Sequence, residues 1–178
     1  MMTRLLGCVG LLAVATPAQA HLMPAGHGTL NRVGDKVYVV MSVPVAAFTE
    51  VEACQDGVLT PTELAAHGDA LRAQVRSDVA LGNTAGFDRI LFDLETGPDH
   101  TGEDLILMAV ATLSSPDGTV SLRTGLWVDD SPRLKVRGTI SEGRRTLRSQ
   151  VVSLTPEQPV GRFFGEPVAR TSAGARAR

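Results

Sequence analysis

The stretch EACQDGVLTPTE, Glu52 to Glu63, places polar or ionisable groups at nearly every second position. A twelve-position calcium loop takes oxygen ligands at one, three, five, seven, nine and twelve, with glycine at six where the chain turns sharply. With Gly57 at six, the ligand positions fall on Glu52, Cys54, Asp56, the Val58 carbonyl, Thr60 and Glu63, and Leu59 is placed to pack the loop on a core. From Asp56 onward the match is good. Before it the match is poor, because Glu52 replaces a shorter aspartate and Cys54 offers a soft sulfur where a hard cation takes oxygen. The spacing therefore predicts a degenerate loop that binds Ca²⁺ weakly. The same residues have a metal-free explanation, in which Asp56-Gly57 makes a turn and Thr60 with Glu63 caps a helix.

A second candidate depends on processing. Residues 1–20 carry one arginine, an apolar run from Leu5 to Ala15 and the small-residue ending Ala18-Gln19-Ala20, which is the pattern of a cleaved secretory signal. The apolar run is too short for a membrane span, and no later segment resembles one. Cleavage after Ala20 makes His21 the new N-terminus, and its α-amine and imidazole can chelate Cu²⁺ or Ni²⁺, with His27 or Met23 as a further ligand. Two weaker clusters are Cys54 with Glu63 and His67, and the acidic run Asp99 to Asp104, which reads as a polar loop between strands. No nucleophile elbow, phosphate-binding glycine loop or H-E-x-x-H helix is present, so the expectation is a non-enzyme.

These residues need elements to hold them. The 17 basic and 19 acidic residues nearly balance, and Arg4 leaves with the leader, which argues against nucleic acid as a partner. Of two cysteines only Cys54 survives cleavage, so an internal disulfide is excluded. Thr29–Val33 and Lys36–Val45 read as two strands joined at Gly34-Asp35, with Pro44 ending the second or marking an edge. Further strands are expected at Arg89–Leu94, Leu105–Leu113, Thr119–Val128, Leu134–Ile140 and Arg145–Leu154, with a hairpin through Ser114 to Gly118. Pro61 to Leu81 spaces Leu64, Leu71, Val75 and Val79 for an amphipathic helix, with Thr60 and Glu63 as a capping box. The expected fold is mainly β: one immunoglobulin-like β-sandwich domain over residues 21–164, with an EF-hand-like insertion at 52–81 and a disordered tail at 165–178.

The order of these features carries a family resemblance. An export signal, His21-Leu22-Met23, a strand ending Ser42-Val43-Pro44-Val45, Phe48, one EF-hand-like loop, a helix and a β-rich remainder closing in Leu154-Thr155-Pro156-Glu157-Gln158-Pro159 follow one another. This is similar to the single-EF-hand domain of exported proteobacterial proteins, also found at the front of HupE/UreJ-type membrane proteins. The resemblance implies a periplasmic, calcium-binding module. The family's usual aspartate-rich loop is altered here at Glu52 and Cys54. HupE/UreJ-type proteins are associated with nickel mainly through a membrane part, which is not expected in residues 1–178. The function expected from the sequence is an exported, non-catalytic binding module with weak Ca²⁺ binding or a metal-free structural role, partnered by a metal ion or an envelope or inner-membrane protein. The alternative is periplasmic copper or nickel binding at His21 and His27.

Overall fold

In a computed structural model, residues 23–97, 100–116, 118–128 and 133–165 are described. Residues 1–22, with the expected signal sequence and His21, and the tail beyond Gly165 lie outside them. The chain is mainly β, with nine strands in two sheets and one α-helix among the described residues. The strands are β1 (His27–Val33), β2 (Lys36–Pro44), β3 (Val79–Gly82), β4 (Arg89–Gly97), β5 (His100–Thr112), β6 (Val120–Thr124), β7 (Leu134–Glu142), β8 (Arg145–Leu154) and β9 (Val160–Phe163), and the helix α1 spans Pro61–Asp78. The larger sheet runs β4-β5-β2-β1-β7-β8 and the smaller β3-β6-β9. Every pairing is antiparallel except β1 with β7, which run parallel.

Alternation decides which face each strand buries. On β2, Val37, Val39, Met41 and Val43 point inward while Tyr38 is exposed, and on β5 Leu105, Leu107, Ala109 and Ala111 do the same. Leu81 of β3, Val120 and Leu122 of β6 and Phe163 of β9 meet them in one continuous core. Leu71 and Val75 bring the helix into the same core. The β1–β2 turn forms where it was expected, with Gly34 at positive φ (+59°), and β2 ends at Pro44.

Side chains close the gap between β8 and β9. The Gln150 amide donates to the Arg162 carbonyl (2.9 Å) and accepts from the Phe164 N–H (3.2 Å), and Arg148 donates to the carbonyls of Phe164 and Gly165. Two side chains thus satisfy backbone groups that an edge strand would otherwise leave open.

Several sequence expectations need correction. Ser114 to Gly118 does not join a hairpin, because β5 belongs to the larger sheet and β6 to the smaller. The Ser114 N–H donates to the Asn83 carbonyl, and the Asn83 side chain bonds both the N–H and the carbonyl of Ser115, so this segment carries the chain from one sheet to the other. The helix stops at Asp78, and Val79 to Gly82 form a strand against β6. Their apolar positions, Val79 and Leu81, suit a two-residue alternation as well as a helical one. From His100 onward the acidic run is β5 and not a loop, and Asp99 lies outside the described residues.

Candidate functional site

The calcium-type loop Glu52–Glu63 opens in a short 3₁₀ turn and ends in the first turn of the long helix α1. A 3₁₀ turn covers Glu52–Cys54, and α1 begins at Pro61. In the first half the N–H of Cys54 donates to Val51 and that of Gln55 to Glu52, which winds the chain tightly and turns the Cys54 side chain inward. Cys54 is 1% exposed and belongs to the core, while Glu52 at the start of the turn is exposed. Burial, together with the nearby Asp56 and Glu63 carboxylates, pushes the Cys54 thiol above its ordinary range. Its sulfur is a neutral packing group and a poor candidate for a ligand.

The second half has the geometry that a calcium loop and a capped helix share. Gly57 adopts a positive φ of +78°, and the Asp56 carboxylate accepts the Val58 N–H at 3.1 Å. Leu59 is 1% exposed, and its N–H donates to the Gly102 carbonyl on β5 at 3.0 Å. Thr60 is the N-cap, and its hydroxyl accepts the Glu63 N–H at 3.2 Å. Glu63 answers with one carboxylate oxygen, which accepts the Thr60 N–H at 2.9 Å and the Thr60 hydroxyl at 2.7 Å. Those bonds hold the Glu63 carboxyl below its usual range, with a smaller contribution from His67 one turn on. The capping box is therefore complete.

Two residues that position the loop carry no functional signature in the sequence. Gly102 has a φ of +79°, and a Cβ there would run into the Leu59 carbonyl. A glycine inside an apparent strand can mark such a close backbone approach. Gln74 is 3% exposed on the apolar side of α1. Its amide donates to the Ala47 carbonyl at 3.2 Å, and its oxygen accepts the Glu50 N–H at 3.3 Å, tying the segment before the loop to the helix. A lone glutamine between Leu71 and Val75 was its only trace in the sequence.

The remaining candidates are dispersed. His67 is half-buried four residues after Glu63, on the same helix face, but Cys54 points into the core. His27 is exposed, and its Nδ1 lies 3.0 Å from the Ala25 carbonyl. A carbonyl only accepts, so in the neutral ring this contact favours the tautomer with the proton on Nδ1 and the lone pair on Nε2. Among the described residues, no group of three or more His, Cys, Asp or Glu side chains is arranged to hold a metal ion. The loop's own oxygens are the carboxylates of Glu52, Asp56 and Glu63, the Thr60 hydroxyl and the Val58 carbonyl. Among the described residues no helix is long and apolar enough to cross a membrane. No protein-family model and no curated protein matches the chain.

Proposed function

We propose that this chain is an exported, periplasmic, non-catalytic binding module in which a calcium-type loop has been taken over by the fold and binds Ca²⁺ only weakly. The observation that carries this reading is the occupation of Glu63. Its carboxylate already takes two hydrogen bonds from Thr60, so a cation at the last loop position competes with the helix cap. Burial of Cys54 supports the same conclusion from the other half, since it withdraws one ligand position. The two sheets around one core support the immunoglobulin-like sandwich expected from the sequence, and the resemblance to exported single-EF-hand domains supports the envelope setting. In this reading the loop's work is structural, fixing α1 against the sheets for an envelope partner.

Calorimetric titration of the processed chain with Ca²⁺, paired with thermal melting, tests this. The expected dissociation constant is about 10⁻³ M, the weak end for calcium sites, with a small rise in melting temperature. Micromolar affinity would overturn the proposal. No heat and no thermal shift at millimolar Ca²⁺ would remove the cation and leave the structural role alone.

One observation favours a second reading at the N-terminus. The Nδ1 bond of His27 presents Nε2 as a free imidazole donor atom, the form a transition metal takes. With His21 as the first residue after cleavage, the pair would bind Cu²⁺ or Ni²⁺. Adding one alanine before His21 should abolish Cu²⁺ binding, whereas persistence of that binding would reject the site.

A further inference from the structure

The outer face of the larger sheet is apolar on one side. Across β4, β5 and β2 the register aligns Leu91 with Met108 and Met108 with Val40, and beside that row Arg89 with Val110 and Val110 with Tyr38. These six line a shallow groove of about 290 Å³, and Leu91 and Tyr38 are 49% and 46% exposed. The groove runs to β4, which ends the strand order and whose outer edge pairs with no strand among the described residues. Natural proteins blunt such edges with charge or cover them. Here the two outward charges that flank Leu91, Arg89 and Asp93, have opposite sign.

We propose that this edge is a homodimer interface, with β4 pairing antiparallel to β4 of a second copy about a two-fold axis through Leu91. A two-fold perpendicular to the sheet keeps outward side chains outward, and it places each residue opposite the one equally far beyond Leu91. Leu91 then meets Leu91, Arg89 meets Asp93 of the second copy, and Asp93 meets its Arg89. On the inner side Ile90 comes beside Phe92, which extends the core row across the axis. Moving the axis to Ile90 sets Arg89 against Leu91, and moving it to Phe92 sets Leu91 against Asp93. Of these three, only the Leu91 axis matches apolar with apolar and charge with charge on the outer face. Opposite charges facing each other across strands attract and like charges repel, so the strand is complementary to itself. The backbone groups of the edge supply the ladder, as in other strand additions.

Sedimentation of the full processed chain over a concentration series tests the proposal, with a concentration-dependent dimer expected. Arg89→Asp and Asp93→Arg should each weaken dimerisation about tenfold, because each single change creates two like-charge contacts about the axis. The combined Arg89→Asp, Asp93→Arg variant should recover it. Leu91→Cys should form a disulfide-linked dimer under oxidation, while Val151→Cys, on β8 and more exposed to solvent than Leu91, should not; Cys54, buried in the core, stays silent in both. A chain that stays monomeric at every concentration, a double variant that does not recover, or cross-linking through Val151→Cys as efficient as through Leu91→Cys would overturn it.

Discussion

The two halves of the segment Glu52–Glu63 follow different physical rules. Glu52 to Gln55 is wound into a 3₁₀ turn that sends a sulfur into the core, and Asp56 to Glu63 packs Leu59 there too but spends its carboxylates on the local turn and the helix cap. A loop built around a cation converges oxygens on one point, whereas here one half converges on apolar side chains and the other on a helix N-terminus. The difference shows how a metal loop can keep its length and its glycine while losing its need for the metal. Packing and capping each satisfy a half without reference to the other.

The strongest way to break this comparison is Cys54→Asp, which restores an oxygen at the third loop position. If the first half belongs to the core, the carboxylate is buried without a partner beside Asp56 and Glu63, and the chain loses about 3 kcal/mol or more. Denaturant unfolding measures the loss, with Cys54→Ala as the control for missing packing alone. Ca²⁺ affinity should not improve. Tighter Ca²⁺ binding with little loss of stability would mean that the first half is a displaced ligand arm. In the native chain the same burial predicts that Cys54 reacts with thiol reagents only on unfolding.

Gly102→Ala strikes the brace of the second half. The substitution needs a positive φ and space occupied by the Leu59 carbonyl, so the Leu59–Gly102 contact must open. The expected cost is about 2 kcal/mol, read by thermal or denaturant unfolding. A neutral effect would show that the loop is held by its own turn and cap and owes nothing to β5.

What was legible in the sequence separates along the same line. The Thr60 and Glu63 cap, Gly57 at the turn and the Gly34 hairpin were readable because each is settled within a few residues. The route through Ser114 to Gly118 was misread, since its turn residues say that the chain bends but not which sheet receives it; that depends on Asn83, distant in sequence. The end of α1 was overshot because Val79 and Leu81 satisfy two periods at once. Cys54 and Gly102 lay further out of reach. The first needed a local 3₁₀ turn and a core to receive it, and the second a backbone contact made across a long separation.

Thr60→Ala tests the cap itself. It removes the hydroxyl that accepts the Glu63 N–H and donates to its carboxylate, at an expected cost of about 1 kcal/mol in thermal unfolding near neutral pH. Thr60→Ser, which keeps the oxygen, should recover most of the loss. If the two variants were equally damaging, the methyl group and not the cap would be what matters at this position.

The smallest effect, and the most specific to the second half, is the pH dependence of Glu63. Because the Thr60 bonds lower its folded-state pKa, the unfolded chain binds the proton more readily, and Glu63 adds stability that is present above the unfolded value of about 4.3 and is lost as pH falls through the lower folded one. Glu63→Gln, which keeps an acceptor but carries no charge, should melt slightly below the native chain at neutral pH and together with it in acid. Asp88 is lowered in the same way by Thr112 and Lys36, and Glu157 by its own backbone N–H and Thr155, so the native chain loses stability in acid at three carboxyls, and only the difference from Glu63→Gln isolates the cap. If Ca²⁺ drew the carboxylate away from Thr60, that difference would change with added Ca²⁺ at neutral pH. A difference indifferent to Ca²⁺ throughout the range where heat is measured would place the cation elsewhere and leave Glu63 wholly to the helix.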